Sequence, residues 1–157
     1  MNCIITKAAD SDLPLMQRFF YETVTNFGSE VFTPTEIKIY SKLATNRTYW
    51  LEKFRTGHIY NAKLNGEVIG SICMDDDGHM DYIFVHLKYQ NLGIAKQLYN
   101  SVERICRERN IHIITTDINM ISRSFFEKRG FAINRNAVRE VGGGEVIELT
   151  GVKYLRS

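Results

Sequence analysis

Hydrophobic positions along this chain change their period several times, and each change marks an element. A short apolar stretch from Cys3 to Thr6 predicts a first strand. Leu13, Met16, Phe20, Val24 and Phe27 then recur at helical spacing, so a helix is expected to begin near Ser11, carry Pro14 in its first turn and stop at Gly28. Thr33-Pro34-Thr35-Glu36 announces a second helix, with Thr33 as cap, Pro34 at the first helical position and Glu36 placed to close a capping box. Asn46 to Phe54 predicts a third, short helix. Ile59 to Leu64 and Glu67 to Met74 are strand-like, and Asn65-Gly66 between them is a hairpin signal because both turn positions tolerate positive φ. Asp75-Asp76-Asp77-Gly78 turns the chain into the strand Tyr82 to His86, and Ile111 to Thr116 predicts a later one. Between those two strands Ile94, Leu98, Val102 and Ile105 form the apolar face of a helix, with Lys96, Gln97, Arg104 and Arg107 largely off it. Beyond Phe131 the chain is again strand-like, interrupted at Gly142-Gly143-Gly144, and Glu145 to Leu155 alternates as a closing strand. Strands that are first antiparallel and then joined through helices imply a mixed α/β sheet.

Composition narrows the picture little but usefully. At 157 residues the chain suits one domain spanning 1–157. Lys+Arg 20 against Asp+Glu 18 leaves a net charge of +2, so no global field favours nucleic acid. Cys3, Cys73 and Cys106 are odd in number and lack framework spacing, which points to reduced, buried thiols and a cytoplasmic setting. No apolar run approaches a membrane span, so a membrane partner is not expected. The histidines are dispersed and the three consecutive aspartates lack alternating ligand spacing, so no metal site is expected.

The strand Tyr82 to His86 runs into Gln90-Asn91-Leu92-Gly93-Ile94-Ala95 and then directly into a helix. That order aims several backbone N–H groups and the positive end of a helix dipole at one spot, a cradle suited to a pyrophosphate. A P-loop reading fails, because the lysine and hydroxyl of G-x-x-x-x-G-K-[ST] are missing. Farther on come Asn119 and the segment Phe125-Phe126-Glu127-Lys128-Arg129-Gly130-Phe131. Together these resemble the GCN5-related N-acetyltransferase (GNAT) superfamily: Gln90 to Ala95 is similar to its Q/R-x-x-G-x-G/A acyl-CoA loop, and Asn119, Phe126, Gly130 and Phe131 to its N-x-x-A-x-x-[LF]-Y-x-x-x-G-F segment. The resemblance implies an α/β (α+β) fold, a mixed, mainly antiparallel central sheet of about six to seven strands flanked by helices, with strands 4 and 5 parallel and splayed. It implies acetyl-CoA as cosubstrate, its pyrophosphate on residues 90 to 95, its pantetheine arm between the splayed strands on the main chain of Phe84 and Val85, and further contacts from Asn119 and Phe126. An N–H near Val85 would stabilise the thioester oxyanion.

The reaction implied is direct attack by an amine-bearing acceptor, which must lose a proton. Asp81 is the first choice as general base, four residues before Val85 and nominally on one face with Ile83 and Val85, where apolar neighbours would raise its pKa. The alternative leaves Asp81 in the polar hairpin with His79. The family's tyrosine, expected to protonate the departing thiolate, is Phe126 in this chain; Ser122 and Tyr154 are substitutes, each with a plainer surface or packing role. Tyr21, Phe27, Phe32, Tyr40 and Trp50 lie in the N-terminal helical regions, and Trp50 with Tyr21 and Phe27 are candidate walls of an acceptor cleft, against the alternative that they are core. Cys73 and Cys106 are expected to be small buried hydrophobes rather than nucleophiles. Two functions stay open: an N-acetyltransferase for a primary amine, or a non-catalytic acyl-CoA-binding module in regulation. A homodimer formed through strand edges in the tail after Phe131 is a further expectation.

Overall fold

The computed structural model describes residues 3–30, 32–118, 122–141 and 144–156. Asn119, Gly142 and Gly143 lie outside the described residues, as does the side chain of Phe27. Seven strands form one sheet: β1 (Ile4–Lys7), β2 (Gly57–Leu64), β3 (Glu67–Asp75), β4 (His79–Val85), β5 (Ile113–Ile118), β6 (Ala132–Val141) and β7 (Gly144–Tyr154), in the order β1-β2-β3-β4-β5-β7-β6. All neighbours are antiparallel except β4 and β5. Three helices fill the connection from β1 to β2: α1 (Leu13–Phe27), α2 (Pro34–Thr45) and α3 (Arg47–Thr56). The crossover from β4 to β5 is α4 (Ile94–Glu108), and the short α5 (Arg123–Lys128) leads to β6. The mixed, mainly antiparallel sheet with parallel strands 4 and 5 is the fold expected from the sequence.

Local chemistry explains the helix boundaries. Thr33 Oγ1 accepts from the Glu36 amide at 3.2 Å while Glu36 Oε1 accepts from the Thr33 amide at 3.0 Å, a complete capping box ahead of α2. Asn46 Oδ1 accepts from the Tyr49 amide at 3.0 Å and starts α3. The chain between α4 and β5 is taken up by a turn in which the Ile111 amide bonds Cys106 O at 2.8 Å, so β5 begins at Ile113 rather than at the expected Ile111.

The sheet separates two cores. On one face Ile72, Met74, Met80, Ile114 and Ile118 pack against Ile94, Leu98, Val102 and Cys106 of α4 and against Phe126 and Phe131. On the other, Ile59, Val68, Cys73 and Tyr82 lie beneath Leu13, Met16 and Phe20 of α1 and Trp50 of α3. The expected apolar face of α4 is therefore the one that is buried, and it fixes that helix across β3 and β4.

Two irregularities shape β4. It begins at His79, three residues before the expected start, because His79 and Met80 pair with Thr115 and Thr116 of β5. Against β3, Tyr82 faces Cys73 and Met80 faces Met74, leaving Asp81 as an extra, unopposed residue: a β-bulge. The bulge overturns the expectation that Asp81 shares a face with Ile83 and Val85. Ile83 and Val85 pack on the α4 side, whereas Asp81 reaches Lys53 and Cys73 on the other.

Gly78 makes the turn into β4 at φ +93°, and a Cβ there would stand 2.5 Å from Ile113 O. Gly78→Ala is expected to cost at least about 2 kcal/mol, combining a strained backbone with displacement of the start of β5. Urea denaturation checks it; a loss below about 0.5 kcal/mol would show that the turn relaxes freely.

Candidate active site

Four features lie along β4: an opened pair of strands, a helix end, an ion pair and an imidazole. The opening comes first. β4 and β5 pair only at His79 with Thr115 and Met80 with Thr116, and Thr116 Oγ1 donates to Met80 O at 3.2 Å beside the last rung. Past that point β4 stays bonded to β3 and β5 to β7, so the two strands diverge. The His86 amide bonds Ile69 O at 2.8 Å, and antiparallel pairs alternate, so Phe84 and Tyr82 direct their backbone groups at β3. Ile83 and Val85 direct theirs into the opening. Phe84 is thus corrected: its main chain is committed to β3, and Ile83, which sequence reasoning passed over, takes its place beside Val85.

The helix end lies just beyond. After a turn at Leu87–Tyr89, Asn91 adopts φ +61° and Gly93 φ +81°, and Gly93 caps α4 with no side-chain hydrogen bond. Gln97 is the first residue whose amide bonds back into the helix, to Gly93 O at 3.1 Å, which leaves the amides of Ile94, Ala95 and Lys96 outside the helical ladder. A Cβ on Gly93 would find nothing within 4 Å, so the space before these amides is open. Ile94 is 2% exposed and anchors the helix end while its amide faces out; Leu92 is exposed. Gln90 is corrected in part: its amide bonds Leu87 O at 3.3 Å, and its side-chain Nε2 donates to Val85 O at 2.7 Å. It ties the loop to the strand edge rather than adding an amide to the cradle.

On the opposite face of β4, Asp81 Oδ2 accepts from Lys53 Nζ at 2.6 Å, with both side chains about one-fifth exposed, at 20% and 23%. Burial favours the neutral amine, but Asp81 outweighs it and holds Lys53 above its ordinary pKa. The expected lone carboxylate among apolar neighbours is thus an ion pair, because the bulge turns Asp81 toward α3. Nothing in the sequence signalled Lys53, whose partner lies 28 residues away. Cys73 Sγ lies 3.8 Å from the same oxygen, and burial, then the Asp81 charge, push its thiol up to about 12. Nearer the start of β4, His79 Nδ1 stands 2.8 Å from Thr115 Oγ1 and Nε2 3.7 Å from Asp117 Oδ2. Asp117 raises the His79 pKa against the effect of burial, and Asp81 and Asp75 add to it.

The aromatic candidates sort differently from the expectation. Trp50 is 2% exposed, and its indole Nε1 donates to Ala44 O at 2.9 Å, so it is core and not a cleft wall. Tyr21 is 46% exposed on α1. Half-buried Phe84 and Phe32 face each other at 6.1 Å, with Tyr40 5.0 Å from Phe32, making these three the aromatic surface beside the opening. Phe126 is 1% exposed and packs on Phe125 and Phe131, so it serves the core rather than a ligand. Tyr154 is 72% exposed.

The sequence model of the Acetyltransferase (GNAT) family matches residues 23–131, a stretch that contains the cradle, the opening and the ion pair. This chain belongs to that family. Among solved structures, a GCN5-related N-acetyltransferase from Rhodopseudomonas palustris superposes with a TM-score of 0.86 at 18% identity, covering 99% of this chain and 97% of that one. The PaiA N-acetyltransferase of Thermoplasma acidophilum, solved with coenzyme A, gives 0.82 at 16% identity over 98% and 99%. The ribosomal-protein-alanine N-acetyltransferase of Brucella melitensis gives 0.70 at 19% identity over 97% and 99%. A stretch of 55 residues is 40% identical to the uncharacterised protein YxbD of Bacillus subtilis (strain 168), covering 33% of this chain and 35% of that protein, so the match spans about a third of the relative's length.

Acetyl-CoA is the cosubstrate of the family, and the site has the character it needs: outward amides before an open space at Gly93, next to an unpaired strand edge at Ile83 and Val85. Thiol chemistry by the protein itself is disfavoured, since Cys73 is pushed up to about 12 and Cys106 to about 11, in both cases first by burial. At pH 8 a thiol titrating near 12 is ionised to only about one part in 10⁴. Iodoacetamide treatment of the native protein at that pH is therefore expected to leave Cys73 and Cys106 unmodified while urea-unfolded protein is alkylated at both, as read by peptide mass spectrometry.

Proposed function

We propose that this protein transfers the acetyl group of acetyl-CoA to a primary amine by direct attack within a ternary complex. The observation that carries the reading is the continuity between the α4 cradle and the opened edge of β4. An extended arm whose pyrophosphate meets the amides of Ile94, Ala95 and Lys96 runs alongside Val85 and then Ile83 toward the fork. Their main-chain groups bind it as they would a strand. The N–H of Val85 or Ile83 polarises the thioester carbonyl. The amine nitrogen bonds the acetyl carbon, the C–S bond breaks, and coenzyme A departs as a thiolate.

Several features support the details. A thiol with a pKa near ~8.5 is a tolerable leaving group near neutrality, so the buried phenyl of Phe126 in place of a tyrosine removes a proton donor without removing the reaction. The suppressed thiols of Cys73 and Cys106 favour single-step transfer over an acyl-enzyme. Asp81, paired with Lys53 at 2.6 Å, gives the acceptor side of β4 a charged wall whose net charge is balanced. Phe32, Tyr40 and Phe84 supply an apolar flank to the acceptor. Free cysteines suit a reducing, cytoplasmic setting. Phe126 is also what favours the second reading, a regulatory module that binds acyl-CoA without turnover.

Release of free thiol from acetyl-CoA, followed over alkylamines, polyamines, aminosugars and peptides, tests the choice: turnover with any amine supports transfer, and coenzyme A binding without turnover supports the module. Gly93→Glu places a carboxylate in the space before the α4 amides and is expected to weaken coenzyme A affinity at least tenfold by calorimetry, with the fold retained. Unchanged affinity would remove the cradle from both readings.

A further inference from the structure

His79 sits at the apex of the fork and has no role in the reading above. It is the first residue of β4 and pairs with Thr115 one rung before the strands separate. Met80 points into the α4-side core at 0% exposure, so its two neighbours, His79 and Asp81, project to the other face. Thr115 and Asp117 of β5 share that face, because Ile114 and Ile118 fill the α4-side core. Asp117 is the first residue of β5 past the last rung, and its carboxylate reaches back across the fork to His79 Nε2 at 3.7 Å. The His79 side chain is 32% exposed, open to solvent from the opening, while its backbone N–H is held by Asp75 Oδ1 at 3.0 Å. Asp81, by contrast, has Oδ2 committed to the Lys53 ammonium at 2.6 Å.

Building on the acetyltransferase reading, we propose that His79 Nε2 receives, through a water, the proton that the acceptor amine loses as its nitrogen bonds the acetyl carbon. Thr115 Oγ1, 2.8 Å from Nδ1, both donates and accepts as a hydroxyl, and in the tautomer with the proton on Nδ1 it accepts that proton while Nε2 carries the lone pair. Asp117 steadies the imidazolium that forms, and the proton then passes to solvent.

The surroundings suit this role. Three carboxylates act on the ring, Asp117 from β5, Asp81 from β4 and Asp75 from the end of β3, and Asp81 is itself paired to Lys53. Asp117 first, and then Asp81 and Asp75, raise His79 above its ordinary value of ~6.5 against the opposing effect of burial. The carboxylates raise the proton affinity of the ring, the property a general base draws on.

The test is the pH profile of kcat/KM for an amine that the wild type acetylates, measured for wild type, His79→Gln, Asp117→Asn and Thr115→Val, with coenzyme A affinity by calorimetry beside it. His79→Gln is expected to lower kcat about a hundredfold and to abolish the acid limb near neutrality. Asp117→Asn should move that limb to lower pH, since an imidazolium without its carboxylate partner is the stronger acid, while coenzyme A affinity stays within about twofold. A His79→Gln enzyme with the wild-type rate and limb overturns the role. Should that variant not fold, an Asp117→Asn limb at the wild-type position overturns it equally. A wild type that binds coenzyme A and acetylates no amine instead overturns the acetyltransferase reading, and the role with it.

Discussion

The structure depends on a single interruption in backbone pairing. β4 and β5 are hydrogen-bonded at two rungs and then separate, each still held by its other neighbour, β3 for one and β7 for the other. A sheet that opens in its middle would ordinarily leave costly unpaired N–H and C=O groups. Here they line an opening beside a helix end whose first three amides lie outside the helical ladder. The hydrophobic contacts of Ile94, Leu98, Val102 and Cys106 keep that helix fixed across the opening, so the cradle and the strand edge form one rigid surface.

The bulge at Asp81 does a second job. By inserting one residue opposite Cys73 and Met74 it sends Asp81 to the face beneath α3, while Ile83 and Val85 stay with the α4 core. Charged groups thus gather on the α1–α3 side of the fork, at the edge of its aromatic core, and the α4 side is apolar. Lys53, Asp81, His79 and Asp117 all belong to the charged side. Their mutual pairing sets their protonation behaviour: an ammonium retained on Lys53, and an imidazole on His79 held above its ordinary pKa by its carboxylates.

Much of this was legible in the sequence because it depends on local rules. The capping box at Thr33 and Glu36, the short helix after Asn46, the hairpin at Asn65-Gly66 and the apolar stripe of α4 all rest on residues within a few positions of one another, and all formed as expected. The loop from Gln90 to Ala95 was readable for the same reason, since a glycine between a strand and a helix constrains the backbone whatever lies elsewhere. What could not be read was direction. Strand alternation put Asp81 with Ile83 and Val85, and a one-residue bulge reversed it; the same parity decided that Ile83 rather than Phe84 faces the opening. Aromatic type likewise could not tell Trp50 and Phe126, both buried, from Phe84, which flanks the cleft.

The sequence by itself determined the element order, the glycine turn ahead of α4 and the α/β class, because hydrophobic period, caps and turn residues act over a few positions. Only the tertiary structure decided the pairing of Lys53 with Asp81, the meeting of His79 with Asp117, and the two-rung contact between β4 and β5. Those depend on where strands and helices dozens of residues apart come to rest against each other, and the free energy that selects such contacts belongs to the packed whole rather than to any segment.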